Sequence, residues 1–206
     1  MNPDEKVVLT KKTYKYIYDQ YSDSNKDLKP QVIKYLEIFT KKLNGKKVID
    51  IGCAMGNETD YLAKKGLEVV GYDISKEFIN LAKKRYPKYK FTVKDMRSLK
   101  LPDNSINGIW ASASFLHIPK SFALETLVRF NTMLLRGGLL YVSVMEGDFD
   151  DIRENETMQW PGRHFSDYTK TELIYLLTKA NFKVVDTYLN NTDWGPTFIH
   201  CFSVKQ

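Results

Sequence analysis

The chain of 206 residues has few cysteines and no long apolar run. Its two cysteines, Cys53 and Cys201, are too few for a disulfide framework and lack the spacing of metal ligands. No apolar run approaches the roughly 18–20 residues that span a bilayer. The opening "MNPDEKVVLTKK" also lacks the apolar stretch of a secretory signal. We therefore expect no membrane span, no metal site and a reducing, cytoplasmic setting.

Basic residues are scarce only in the second half of the chain. Residues 1–100 carry 22 basic and 13 acidic side chains, whereas residues 101–206 carry 9 and 12. A basic half is one signature of nucleic-acid binding. However, most lysines come in pairs near predicted helix ends, where cations complement the helix dipole. This pattern favours a solvated surface over a nucleic-acid interface.

Strands and helices alternate through the middle of the chain. A helix is predicted over 29–45, with Pro30 near its start. Strands separated by helices of 10–15 residues are typical of a parallel sheet that is covered on both faces. The last two strands are separated only by "NNTDWGP", so they are predicted to be antiparallel neighbours. The predicted strands are "KKVIDIG", "LEVVGYD", "YKFTVKD", "INGIWASA", "LLYVSVM", "FKVVDTYL" and "TFIHCFSVK".

The turn after the first strand, "VIDIGCAMGNETDYL", has the composition of a ligand-binding loop. Gly52 permits a tight turn, and Gly56 lets the backbone come close to a ligand at a helix N-terminus. Asp73 ends the second strand, where a carboxylate can accept hydrogen bonds from ribose hydroxyls. The stretch lacks both the G-x-G-x-x-G of dinucleotide sites and the Gly-Lys-Ser/Thr of a P-loop. A nucleoside cofactor is favoured, with NAD as the rival.

The segment "VIDIGCAMG" resembles motif I of the class I S-adenosylmethionine-dependent methyltransferases, whose usual form is D-x-G-x-G-x-G. Asp50, Gly52 and Gly56 match this motif, and Ala54 departs from it. The segments "VVGYDIS", "VKDMRSLKLPDNSINGIWAS" and "LLRGGLLYVSV" follow in the family's order, so the similarity covers about residues 45–145. The chain is most similar to the small-molecule group that includes ubiquinone/menaquinone-type enzymes.

This resemblance implies an α/β, Rossmann-like fold with helices on both faces of a seven-stranded sheet. The sheet would be mostly parallel, with an antiparallel edge hairpin and the strand order 3-2-1-4-5-7-6. One domain would cover residues 1–206. Its parts would be an N-terminal helical cap or lid (1–45), a cofactor-binding core (46–145), a lid loop (146–168) and a C-terminal helix with the hairpin (169–206).

The resemblance also implies a site for S-adenosylmethionine. The backbone of the first turn would approach the amino-acid tail of this cofactor, with Asp50 orienting the turn or meeting the tail's ammonium through water. Asp73 would bind the ribose. The other expected cofactor contacts are Gly52, Ala54 and Gly56 in the turn, Ile74 on the adenine, Asp95 and Met96 at its edge, Ala111 beside the tail, and Tyr21 as part of a lid.

Three further residues are candidates for contact with the methyl acceptor. His117 follows the fourth strand and is either a general base or a packed structural histidine. Arg163 either grips a carboxylate on the acceptor or fastens the lid to the domain. Tyr18 pairs with Tyr21 in closing the site. No Asp/Asn-Pro-Pro-Tyr segment and no cysteine follow the fourth strand, which argues against methylation of nucleobase amines or pyrimidine C5.

We therefore expect methyl transfer to an O, N or C atom of a small molecule. The alternatives are a tRNA or rRNA methyltransferase, suggested by the pI of 9.1, and a protein that binds the cofactor without catalysis. The acidic residues in 146–156 argue against a polyanionic acceptor. The sequence predicts neither the identity of the acceptor nor the oligomeric state.

Overall fold

The computed structural model describes residues 1–24, 26–155, 160–190 and 195–206. The strands in these ranges are β1 (Lys47–Ile51), β2 (Glu68–Asp73), β3 (Lys90–Val93), β4 (Ile106–Ala111), β5 (Leu134–Met145), β6 (Asp150–Asn155), β7 (Trp160–Ser166), β8 (Phe182–Asn190) and β9 (Phe198–Lys205). The α-helices are α1 (Pro3–Ser24), α2 (Pro30–Lys42), α3 (Asn57–Lys64), α4 (Lys76–Arg85), α5 (Ala123–Met133) and α6 (Lys170–Lys179). Among these helices, none is both long and apolar enough to cross a membrane.

Seven of the strands form one sheet in the order β3-β2-β1-β4-β5-β9-β8. The first five pair in parallel, and β9 runs antiparallel to both β5 and β8. Without β6 and β7, this is the predicted order 3-2-1-4-5-7-6, so the predicted fold class is confirmed. The carboxyl ends of β1, β2 and β4 consequently meet at one edge of the sheet.

Apolar side chains cover both faces of the sheet, as expected for strands that are buried on two sides. On one face, α5 and α6 pack on β4 and β5. On the other face, α2 buries Leu36 and Phe39 against Trp110, which stacks on Tyr141 with ring centroids 3.9 Å apart. Helix α2 runs from Pro30 to Lys42, within the predicted range 29–45. Burying each of its large apolar residues contributes about 1.5–3 kcal/mol to folding.

The segment expected to be a lid loop, 146–168, instead contains the strands β6 and β7. They form an antiparallel sheet of their own, which packs on α1. The hydrophobic pattern did not reveal these strands because they bury polar residues, several of which hydrogen-bond one another. Buried Ser166 donates to the Asp150 carboxylate at 2.6 Å and lies 2.9 Å from Nε2 of buried His164. Residues 156–159 lie outside the described ranges, and Glu156, one of the acidic residues in 146–156, is among them.

Candidate functional site

A cavity of about 470 Å³ opens at the carboxyl ends of β1, β2 and β4. Its wall also includes residues of α1 and α2 and of the β8–β9 end of the sheet. The predicted site residues on this wall are Tyr21, Gly52, Ala54, Asp73, Ile74, Asp95, Met96 and His117. Five others lie off the wall that the described residues form: Tyr18, Asp50, Gly56, Ala111 and Arg163. The cavity therefore lies where the fold places ligands, at the edge predicted from the sequence.

The β1–α3 turn reaches the cavity through Gly52 and Ala54. Gly52 has φ of 76°, and a Cβ added there would lie 2.2 Å from Cβ of Ser114. This position therefore requires glycine both for its backbone and for space. Ala54 also has a positive φ, 44°, a conformation that usually belongs to glycine. Its amide donates to Oδ2 of Asp73 at 3.0 Å, which ties the turn to β2.

Gly56 and Asp50 lie behind the turn rather than in the cavity. A Cβ on Gly56 would meet the Phe91 ring at 2.8 Å, so this glycine permits packing on β3. Asp50 is only 1% exposed and accepts a hydrogen bond of 2.6 Å from the Thr59 hydroxyl. Burial, and then the charge of Glu58, raise the pKa of Asp50 well above its usual value. The contacts of Asp50 therefore join the turn to α3.

Asp73 lies on the wall with its orientation fixed by the backbone. Its Oδ2 accepts from Ala54 N, and its Oδ1 accepts from Ser75 N at 2.8 Å. Ser75 caps α4 by accepting from Phe78 N at 3.2 Å, so Asp73 is not needed as that cap. Burial raises the pKa of Asp73 to about 6. The two oxygens keep lone pairs for a ligand.

Asp95 and Met96 lie on the wall after β3. Arg97 donates to both oxygens of Asp95, with the closest contact at 2.7 Å. The same guanidinium donates to Asp4 of α1 at 2.7 Å. The Asp95 carboxylate is therefore held in a fixed orientation and linked through Arg97 to the N-terminal helix.

The end of β4 contributes the residues just after Ala111 to the wall. Ala111 itself is fully buried in the sheet, where it pairs with Val142. Ala113 has a positive φ of 45°, and its amide donates to the Ser143 hydroxyl at 2.8 Å. Ser112 and Ala113 line the cavity as the chain turns away from the sheet. At the end of β4, Ser112 and Ala113 rather than Ala111 are therefore the residues that a ligand in the cavity would meet.

His117 belongs to a hydrogen-bonded network with α1 and β7. Its Nδ1 lies 2.8 Å from the carbonyl oxygen of His164, which can only accept, so Nδ1 carries the proton. Nε2 then accepts from the Tyr14 hydroxyl at 2.7 Å. Burial and the charge of Arg163 lower the pKa of His117 to about 3. His117 is therefore neutral near pH 7, and Tyr14 covers its basic nitrogen.

Arg163 of β7 and the tyrosines of α1 contact this network. Arg163 donates to the Tyr14 hydroxyl at 3.0 Å, and its guanidinium lies 5.1 Å from the centre of the Tyr14 ring. This contact corresponds to the fastening role considered for Arg163. Tyr14, rather than Tyr18, lines the cavity together with Tyr21. Tyr14 and Tyr21 are seven residues apart, which is about two helical turns. Their ring centroids lie 6.0 Å apart in an edge-to-face arrangement.

Sequence reasoning missed a polar group at the α2 side of the cavity. Glu58, in the first turn of α3, lines the cavity and accepts a hydrogen bond from Trp110 Nε1. Burial raises the pKa of Glu58 to about 7. Tyr141 and His200 lie on the same wall. The position of Glu58 two residues after Gly56, at a helix N-terminus beside a glycine turn, was the available signal.

Comparison with known proteins gives a consistent set of similarities. The chain matches the family described as "Methyltransferase domain" over residues 25–187. It is 34% identical over 140 residues to phosphoethanolamine N-methyltransferase 1 of Arabidopsis thaliana, covering 64% of this chain and 26% of that protein. An uncharacterized methyltransferase of Bacillus cereus is 27% identical over 192 residues, covering 88% of this chain and 84% of that protein.

Among solved structures, 1,6-didemethyltoxoflavin-N1-methyltransferase of Burkholderia thailandensis has a TM-score of 0.80 at 21% identity. The match covers 100% of this chain and 91% of that chain, and it shows a shared fold. The chain spans only 26% and 49% of the length of the first two curated relatives. Since the family match covers well over half of the 206 residues, the chain belongs to the methyltransferase-domain family, as the resemblance predicted.

Proposed function

We propose that the protein transfers a methyl group from S-adenosylmethionine to an O, N or C atom of a small molecule. The observation that carries this proposal is Asp73, a carboxylate fixed by two backbone amides at the edge of a cavity of about 470 Å³. That volume lies within the roughly 300–1,000 Å³ of small-molecule sites. When bound, the cofactor supplies an electrophilic methyl group on a sulfonium cation.

The residues on the wall fit such a cofactor. Asp73 offers two oxygens to ribose hydroxyls, and the neighbouring side chains Ile74 and Met96 provide an apolar slot for a purine. Gly52 and Ala54 present backbone rather than bulky side chains. In this proposal Asp95 meets the edge of the purine, and Tyr21 helps to close the site.

The role of His117 follows from its neutral state. A base with a pKa of about 3 takes up a proton poorly at pH 7, and its Nε2 already accepts from Tyr14. We assign His117 to positioning Tyr14, which lines the cavity and whose hydroxyl donates to Nε2. The Tyr14 oxygen is then the atom available to an acceptor hydroxyl or amine. Arg163 holds the other side of this oxygen and keeps the lid closed.

The charge of the wall favours a small neutral or cationic acceptor over RNA. Within the described residues, it carries the carboxylates of Asp27, Glu58, Asp73 and Asp95 and the amines of Lys29 and Lys94. An acidic surface repels a polyanion. Cys53 and Cys201 are buried free thiols, which supports the predicted reducing, cytoplasmic setting.

A transfer assay with a radiolabelled methyl donor tests this function. The purified protein is incubated with fractionated metabolites and, separately, with bulk RNA from the source cell. We expect label in a low-molecular-mass fraction. Label in RNA would overturn the small-molecule acceptor. Binding of the cofactor without transfer to either pool would favour a non-catalytic binding protein.

A further inference from the structure

Three short segments of the chain, 41–47, 64–68 and 83–90, carry its excess of positive charge. Together they hold eleven basic side chains and one carboxylate, that of Glu68. The whole chain has a net charge of only +6, so the rest of the molecule is net negative. The basic residues are Lys41, Lys42, Lys46, Lys47, Lys64, Lys65, Lys83, Lys84, Arg85, Lys88 and Lys90.

The fold brings these three segments to one edge of the sheet. Each runs from the end of a helix to the start of the next strand: α2 to β1, α3 to β2, and α4 to β3. Since β1, β2 and β3 are parallel neighbours, their amino ends lie side by side, and Lys47 pairs with Glu68. Glu68 N also donates to the carbonyl oxygen of Lys46 at 2.8 Å. The three segments therefore form one surface, the basic face.

Most cations of the basic face have no carboxylate beside them. All ten lysines are exposed, and within the described residues ion pairs join only Lys42 to Asp186 and Lys64 to Asp60. Cations in the last turn of a helix complement the helix dipole. However, four of the lysines lie outside the helices, so the dipole does not account for them. They are Lys46, Lys47, Lys88 and Lys90.

The basic face lies on the opposite side of the sheet from the cavity. The cavity opens at the carboxyl ends of β1 and β2, whereas the basic face is formed at their amino ends. Strand β2 has six residues and so spans about 20 Å. A partner on the basic face is therefore too far from the cavity to be the methyl acceptor. It would hold the protein in place and leave the cavity open.

The chemistry of the basic face fits a diffuse layer of negative charge better than a nucleic acid. Ten of its eleven cations are lysines, which act as hydrated point charges, whereas arginine is favoured for paired hydrogen bonds to phosphate. Single-stranded nucleic acids also stack on aromatic rings. Here Lys65 and Lys88 lie 5.2 and 4.9 Å from the ring centres of Tyr61 and Tyr89, so these rings are already covered.

We propose that the basic face binds the anionic surface of a lipid bilayer, with the cavity directed away from the membrane. The inner leaflet of a cell membrane carries anionic lipids, and each nearby lysine or arginine strengthens binding about fivefold. None of the exposed large apolar side chains lies in the three segments, so the contact is electrostatic and does not insert into the bilayer. A water-soluble acceptor would still reach the cavity from the aqueous side.

Cosedimentation with lipid vesicles tests this proposal. One set of vesicles is phosphatidylcholine alone, and the other is an equal mixture of phosphatidylcholine and phosphatidylglycerol. The test variant combines Lys46→Gln, Lys65→Gln and Lys84→Gln, one exposed lysine from each segment. The matched control combines Lys11→Gln, Lys12→Gln and Lys15→Gln, the same charge change on exposed lysines of α1.

We expect the wild type to bind the anionic vesicles and not the neutral ones, with an affinity that falls as salt is added. The test variant should bind the anionic vesicles at least about tenfold more weakly, and the control should stay within about twofold of the wild type. Arginine at the same three positions keeps the charge and should preserve binding. Weakened binding in this arginine variant would overturn the proposal, because charge would not be the cause.

Three other outcomes would also overturn the proposal. Absence of wild-type binding to anionic vesicles would leave the basic face as a solvated surface. Equal losses in the test variant and the control would assign the effect to net charge rather than to this face. Binding of bulk tRNA at the same salt, lost in the test variant without any binding to vesicles, would assign the face to nucleic acid. Because vesicle binding requires neither the methyl donor nor an acceptor, these results do not depend on the proposed function.

Discussion

Asp73 is the residue on which the proposed nucleoside site depends most. Its carboxylate joins the β1–α3 turn to the start of α4 through Ala54 N and Ser75 N. Asp73→Asn keeps one acceptor oxygen and loses the charge. We expect the affinity for 5′-methylthioadenosine to fall by about tenfold or more, since two ribose hydroxyls lose a charged acceptor. Calorimetry measures this loss.

The control for Asp73→Asn is Asp103→Asn, the same change at an exposed position outside the cavity wall. The control should bind as the wild type does, and both variants should give similar far-UV circular dichroism spectra. Wild-type affinity in Asp73→Asn would refute the ribose assignment.

At this scale the sequence predicted the residues that follow strand ends, such as Asp73, Asp95 and His117, because the topology of a parallel sheet places them at one edge. It did not predict His200, which lies inside β9 and reaches the cavity only through the pairing of β9 with β5. Ala111 lies just off the cavity wall because β4 ends there and the chain turns at Ser112, and its predicted contact with the cofactor stays a prediction. Contacts across the sheet leave no local signal.

Among the elements, the β1–α3 turn has the strictest steric requirements. Gly52→Ala places a Cβ 2.2 Å from Ser114 at a φ of 76°. We expect it to reduce the free energy of unfolding by about 2–4 kcal/mol. Ala54→Gly relieves the strain of the left-handed backbone but increases the conformational entropy of the unfolded chain. Its free energy of unfolding should therefore stay within about 1 kcal/mol of the wild type. Urea unfolding measures both changes, and a fully stable Gly52→Ala would contradict the turn geometry.

Helix α1 and strand β7 are held together by buried hydrogen bonds. The Thr10 hydroxyl accepts from His164 N at 2.8 Å, and Thr13 donates to the carbonyl oxygen of Gly162 at 2.9 Å. Thr10→Val leaves the His164 amide without its acceptor, at a cost of about 1–3 kcal/mol. We expect hydrogen exchange to accelerate in α1 and β7 together.

The matched control for this prediction is Thr132→Val on α5. Thr132 donates to the backbone of its own helix at 3.0 Å and is exposed, so its loss should leave exchange in α1 and β7 unchanged. Faster exchange in α1 alone would show that β7 does not depend on this contact.

The strands β6 and β7 were not predicted from the hydrophobic pattern of the sequence. The sheet strands were predicted because apolar runs and glycine turns mark them, and α2 because Pro30 and its apolar spacing do. Strand β7 buries His164 and Ser166 instead, and their burial depends on partners far away in sequence, in α1 and after β4. Composition alone therefore made the segment look like a solvated loop.

For the whole molecule, the strand order that the family resemblance implied is the order observed. The residues themselves predicted the antiparallel hairpin, because the seven-residue link before β9 excludes a crossover helix. The acceptor was not predictable in the same way, because the same fold serves many substrates. The proposed acceptor side involves Tyr14 and His117 on the cavity wall and Arg163 behind them, which are distant in sequence and brought together only by tertiary packing.

Calorimetry of the wild-type protein with S-adenosylhomocysteine and, in parallel, with NAD tests the central claim most directly. The cavity should bind one equivalent of S-adenosylhomocysteine in the micromolar range and show no heat of binding with NAD. Binding of NAD, or the absence of binding of S-adenosylhomocysteine, would contradict the assignment of the cavity to a methyl donor.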